Sequence, residues 1–119
     1  MASKKPACPM EPILKLLMGP WTTHIIWLLH TRGEMRFGSL KRELDGVSSK
    51  ILTERLRMLE AQGIIYRHYE PTVPPAVGYG LTGKGHELKD VLNSLTDLAL
   101  RWAEADAARP STETLLPTD

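Results

Sequence analysis

The stretch Phe37–Gly63, FGSLKRELDGVSSKILTERLRMLEAQG, decides the fold. Asp45-Gly46 is a turn signal, because Gly46 can take the positive φ that closes a tight turn. Before it, Phe37, Leu40 and Leu44 lie on one helical face, and Ser39 or Gly38 opens that helix. After it, Ser48 reads as an N-cap whose hydroxyl accepts an otherwise unpaired first-turn amide. Leu52, Leu56 and Leu59 recur at i, i+4 and i+7 and form one buried stripe. Gly63 is the expected C′ residue, with Ile64-Ile65 as the apolar lock behind it.

The stripe fixes which residues face outward: Ser49, Lys50, Thr53, Glu54 and Arg57. Two helices joined by a tight turn, the second opening in small polar and basic residues, form a helix-turn-helix. The N-terminal residues of such a second helix normally meet base edges in the major groove. Lys50 and Arg57 can bond phosphate or guanine, and Ser39, Ser48, Ser49, Thr53 and Glu54 complete the polar set. A plain amphipathic hairpin with a solvated charged face explains this stretch equally well by itself.

The following segment separates the two readings. Ile64 to Glu70 alternates as a strand, Pro71, Pro74 and Pro75 stiffen a loop, and Val77 to Leu81 gives a return strand. Helix, turn, helix and hairpin make a winged helix, with Arg67, His68 and Tyr69 as the wing's candidate DNA contacts. Tyr69 and Tyr79 serve equally well as cross-strand packing.

Upstream, Pro12 suits the first turn of a short helix with Ile13, Leu14, Leu17 and Met18 on its apolar face. Gly19 stops it, and Pro20 restarts a second helix through Trp21, Ile25, Ile26, Leu28 and Leu29, the expected buried centre. His24 on that helix reads as a core histidine. Downstream, Thr82 caps the last helix, whose Leu88, Val91, Leu95, Leu98 and Trp102 step by 3, 4, 3 and 4. A small domain has limited core to offer this stripe, so pairing with a second copy is favoured over folding back on Ile13–Met18. The expected organisation is a flexible arm at 1–9, a winged domain with its dimerisation helix at 10–109, and a disordered tail at 110–119.

Bulk composition agrees. A chain of 119 residues, 42% hydrophobic and 24% charged, is one ordinary globular domain by length. No apolar run reaches the ~20 residues that cross a bilayer, and residues 1–9 lack the apolar region of a signal peptide. One cysteine excludes an internal disulfide framework and fits a cytoplasmic setting. Net charge is only +1, but eight Lys/Arg face five acids between His30 and Tyr69, whereas three face seven from His86 onward. A basic middle suggests a polyanionic partner.

The chain resembles the HxlR-type family of bacterial winged-helix regulators. The resemblance rests on Cys8-Pro9, Gly19-x-Trp21, Gly33-x-x-Arg36-Phe37 and Leu44-x-Gly46-Val47-Ser48-x-Lys50-x-Leu52-Thr53. It continues through Leu56-x-x-Leu59-Glu60-x-x-Gly63 and Pro74-Pro75-x-Val77-x-Tyr79-x-Leu81-Thr82-x-x-Gly85, covering about residues 8–105. It implies a homodimeric transcription factor paired through its first and last helices, Ile13 and Leu17 included. Two positions depart from the family's pattern: Pro20 stands where Lys is usual, and Gly78 where an acid is usual. The resemblance also implies a redox or electrophile sensor at Cys8, because several members carry a sensing cysteine in this Cys-Pro position. Cys8 precedes a helix start and lies near Lys4 and Lys5, which favours a thiolate. A packed or tolerated thiol is the alternative.

Expected partners are therefore double-stranded DNA, a second copy of the chain and an oxidant or small-molecule effector, with no membrane and no cofactor. His24, His30, His68 and His86 have no metal-ligand spacing. Nothing supplies an oxyanion site for a Cys-His pair, and the glycines near residue 80 are not a phosphate loop. The second functional class is a winged-helix protein-interaction module without DNA binding. That reading predicts neutral or acidic residues where Lys50, Arg55 and Arg57 stand.

Overall fold

The computed structural model describes residues 8–108. Its elements are α1 (Glu11–Leu17), α2 (Thr22–Arg32), β1 (Met35–Arg36), α3 (Phe37–Glu43), α4 (Ser49–Ala61), β2 (Ile65–Glu70), β3 (Ala76–Leu81), α5 (Gly83–His86) and α6 (Lys89–Ala108). The fold is mainly helical with a three-stranded antiparallel sheet in the order β1-β3-β2. The chain divides into two compact units, residues 1–87 and 88–119. The arm up to residue 7 and the tail at 110–119 lie outside the described residues, as do Lys4 and Lys5.

The core of the first unit is aliphatic. Ile25, Ile26, Leu28 and Leu29 of α2 are buried, as are Leu40 and Leu44 around α3 and Leu52, Leu56 and Leu59 of α4. Met35, Ile64, Ile65 and Leu81 close it from the sheet. Burying each such side chain stabilises the fold by roughly 1.5–3 kcal/mol. His24 lies on the exposed side of α2 and not in the core, because the buried stripe of that helix is filled by its isoleucines and leucines.

Local signals explain most boundaries. Ser48 is in an extended conformation, and its hydroxyl accepts the Ile51 amide at 3.1 Å. Helix α4 ends in a Schellman motif: Gly63 N–H donates to Glu60 O at 3.0 Å and Ile64 N–H to Leu59 O at 2.9 Å, with Gly63 at φ 76°. Gly46 closes the inter-helix turn at φ 94°.

Three boundaries differ from expectation. Helix α3 begins at Phe37, before Gly38 and Ser39, because strand β1 leads directly into it with no side-chain cap. Helix α2 begins at Thr22, with Trp21 in the left-handed region at φ 69°. Thr82 caps α5 and not the long helix: its hydroxyl accepts the Gly85 amide at 3.1 Å, and α6 starts only at Lys89. Gly85 sits against the Ile64 carbonyl, where an added Cβ would overlap that oxygen.

In α6, Leu92 is the buried residue and Leu88 and Leu98 are half-buried. Val91, Leu95 and Trp102 are 49%, 52% and 65% exposed. The expected stripe is thus present in sequence, but three of its five residues face solvent in one chain. On α1, Leu17 is half-buried while Ile13, Leu14 and Met18 are exposed. Among the described residues, no helix is long and apolar enough to cross a membrane.

Candidate nucleic-acid interface

Helix α4 turns Ser49, Lys50, Glu54 and Arg57 to solvent, with Thr53 half-buried beside them. Strand β2 packs against α4. Between α4 and the hairpin lies a groove of about 330 Å³ lined by Thr53, Leu56, Arg57, Glu60, Arg67 and Tyr79. Leu56 is the buried residue of the set, and the two guanidinium groups are exposed.

Several basic residues of the first unit are engaged internally. Arg32 forks onto Glu43, with N···O distances of 3.0 and 3.1 Å, and holds the Glu43 carboxyl below its usual range. Arg55 donates from Nε to the Pro20 carbonyl at 3.0 Å, Arg42 to Ser39 Oγ at 3.3 Å, and Lys84 to the Gln62 carbonyl at 2.9 Å. Lys50, Arg57 and Arg67 have no hydrogen-bonded or ionic partner among the described residues. Arg55, expected on the outward face, is therefore a brace between α4 and the turn before α2. Ser39 is half-buried on α3 and engaged by Arg42.

Sheet register sorts the wing residues. Arg67 pairs with Tyr79, and Tyr79 with Met35, so these side chains share the face toward the core and α4. Tyr69 lies on the same face of β2 and is exposed. His68 pairs with Gly78 on the opposite face. The structure thus brings Arg67 to the groove beside Arg57 and Thr53, and it turns His68 away.

His68 has other partners. Its Nδ1 lies 3.1 Å from Glu34 Oε2, and Tyr66 Oη donates to Glu34 Oε1 at 2.8 Å. A carboxylate only accepts, so Nδ1 carries the hydrogen. These bonds, His68 first and Tyr66 second, hold the Glu34 carboxyl below its ordinary 4.5. The same bond raises the Tyr66 hydroxyl above its ordinary 10.0. Sequence reasoning missed Glu34 and Tyr66. The available signal was Gly78-x-Gly80, two glycines on one strand face, which often marks close approach of another group.

Cys8 is half-buried, and its carbonyl accepts the Glu11 amide at 2.9 Å. Among the described residues, no group of three or more His, Cys, Asp or Glu could hold a metal ion.

Helix, tight turn, capped helix and hairpin define a winged helix-turn-helix. Residues 16–107 match the model of the HxlR-like helix-turn-helix family, and the chain belongs to that family. It is a regulator by class and not an enzyme. It is 42% identical over 97 residues to a protein of Fusobacterium mortiferum named for a regulatory role, MalR, covering 82% of this chain and 88% of that one. Among solved structures it is similar to the redox regulator HypR in its oxidised form, with a TM-score of 0.72 and 32% identity over 82% of this chain and 96% of that one. It is also similar to the reduced form of the transcriptional regulator YodB from Bacillus subtilis, with a TM-score of 0.70 and 34% identity over 80% and 92% of the two chains.

Proposed function

We propose that the chain is a homodimeric, sequence-specific regulator that reads an inverted-repeat operator in double-stranded DNA in the cytoplasm. Helix α4 enters the major groove with Ser48, Ser49, Lys50, Thr53, Glu54 and Arg57, and the wing adds Arg67 and Tyr69. Ser39 on α3 and His68 on the outer wing face stand as secondary contacts. The observation that carries this reading is the pair of unpartnered guanidinium groups, Arg57 and Arg67, that line the groove between α4 and the hairpin. Lys50, exposed on the first turn of α4, is likewise unpartnered among the described residues, whereas Arg32, Arg42, Arg55 and Lys84 are held by internal bonds. Unpaired cations on a helix beside a wing suit phosphate oxygens and guanine edges.

Two copies would pair through Ile13 and Leu17 of α1 and Leu88, Val91, Leu95, Leu98 and Trp102 of α6. Support comes from the exposed apolar side chains of both helices. Pairing would set the two recognition helices about 34 Å apart, one turn of DNA.

Cys8 would tune the dimer in response to oxidants or electrophiles. HypR is named a redox regulator, and a diamide-treated form of YodB has been solved. With one cysteine per chain, oxidation of two Cys8 thiols joins the copies, or one Cys8 joins a small thiol. Either way two electrons pass to the oxidant and two protons are released.

Selection of bound sequences from random DNA by the purified protein, with and without reductant, tests the whole reading. It should return an inverted repeat. Diamide should produce a Cys8-dependent change in binding and in mobility on a non-reducing gel. Identical behaviour of wild type and Cys8→Ser would remove the sensor role alone.

A further inference from the structure

The outer face of the sheet holds an arrangement that strand pairing alone does not explain. Gly78 and Gly80 of β3 lie opposite His68 and Tyr66 of β2. A Cβ built on Gly78 would overlap Glu34 Oε2 and stand 3.0 Å from Cδ and Cγ of the same side chain. A Cβ on Gly80 would overlap the Tyr66 hydroxyl and Cζ. The Glu34 carboxylate thus lies over one glycine and the Tyr66 ring over the other. From there Glu34 accepts from Tyr66 Oη at 2.8 Å and from His68 Nδ1 at 3.1 Å. The other imidazole nitrogen lies 3.7 Å from Glu70 Oε2. The result is a clasp across the central strand, from the turn after α2 to the wing strand β2.

We infer that Glu34 is the positioning residue of the wing, acting through Tyr66 and His68 and admitted only because residue 78 has no side chain. Arg67 lies between those two residues on β2 and faces the groove with Arg57. Fixing the outer face at 66 and 68 therefore fixes where Arg67 points. A hairpin alone is marginal in water, and β2 is an edge strand of this sheet, with only β3 as its neighbour. The clasp is what ties it to the body of the first unit from outside. Its effect on DNA affinity rests on the proposed reading of β2–β3 as a DNA-contacting wing.

Two measurements on the full chain test this: amide hydrogen exchange of β2 and β3 without DNA, and affinity for the selected operator. Glu34→Ala should speed exchange in both strands and weaken operator binding by roughly 3- to 10-fold, the range for partly exposed charge-assisted bonds. The melting temperature should stay within a few degrees. Gly78→Ala pushes the carboxylate off its partners, so it should reproduce the Glu34→Ala phenotype. In the Glu34→Ala background the space above residue 78 is open, and Gly78→Ala should then be harmless. Gly78→Glu in that background places an acid directly opposite His68 and should restore slow exchange and affinity. Unchanged hairpin exchange in Glu34→Ala, or simple additivity of Glu34→Ala and Gly78→Ala, would overturn the inference. If the wild type binds no DNA, the proposed function fails by itself and the exchange cycle still decides the clasp.

Discussion

Arg55 of the recognition helix donates its Nε hydrogen to the carbonyl of Pro20, 35 residues earlier, at 3.0 Å. Two residues on, Arg57 has no partner among the described residues. Neighbouring arginines on one helix thus do opposite work: one braces α4 against the left-handed turn at Trp21, the other stays available.

This division predicts separable phenotypes. Arg55→Ala should lower unfolding free energy by about 0.5–1.5 kcal/mol, the net worth of an exposed side-chain-to-backbone hydrogen bond. Arg57→Ala should leave stability within about 0.5 kcal/mol, as for surface substitutions. Ser48→Ala, which removes the α4 cap, should cost about 1 kcal/mol. Urea denaturation followed by circular dichroism compares all three.

A second prediction concerns Thr22, whose hydroxyl oxygen is buried with no hydrogen-bond partner among the described residues. Removing an unsatisfied polar atom while keeping side-chain shape is neutral or stabilising. Thr22→Val should therefore match or exceed wild-type stability, and Gly85→Ala should be clearly destabilising because its Cβ meets the Ile64 carbonyl. Thermal melts of the two variants should shift in opposite directions, or in one direction for Gly85→Ala alone.

The clasp also has a pH signature. The Glu34 carboxyl is held below 4.5 by accepting from His68 and Tyr66. Its contribution is therefore complete above pH 4.5 and lost as pH falls through the lowered value. The Tyr66 hydroxyl is raised above 10.0 by donating to Glu34, so its share persists below pH 10 and is lost as pH rises through the raised value. Wild type minus Glu34→Ala stability, measured by urea titration across pH, should shrink at both ends.

Much of this was legible in the sequence. Leu52, Leu56 and Leu59 announced a buried stripe by spacing, and Ser48 and Gly63 announced both ends of α4, because caps and stripes are local. What escaped was non-local or lacked a polar marker. Arg55 reads as an outward base until its partner 35 residues away is known. Glu34, 32 residues before Tyr66, reads as a turn residue. Thr82 reads as the cap of a long helix, whereas it caps the single turn Gly83–His86, and α6 begins only at Lys89. Phe37 opens α3 with no capping side chain to mark the place.

Pairing through α6 makes its own prediction. Leu95→Asp and Trp102→Asp place charges at positions more than half exposed in one chain, so each single chain should still fold. Sedimentation at micromolar concentration should show dimers for wild type and monomers for the variants, with operator affinity falling in step. Dimers in both variants would place the pairing surface elsewhere.

Whether Lys50, Arg57 and Arg67 are the cations that hold DNA is decided by operator affinity measured across salt concentration, for wild type and for Lys50→Ala, Arg57→Ala and Arg67→Ala. Where a substitution removes a charge that neutralises a phosphate, the slope of log affinity against log salt should fall in magnitude by about 0.9. Where Lys50 or Arg57 bonds a base edge, its replacement should cost about 1–3 kcal/mol and relax sequence preference at one position. Wild-type affinity and slope in all three variants at moderate salt would mean that DNA is held by other residues.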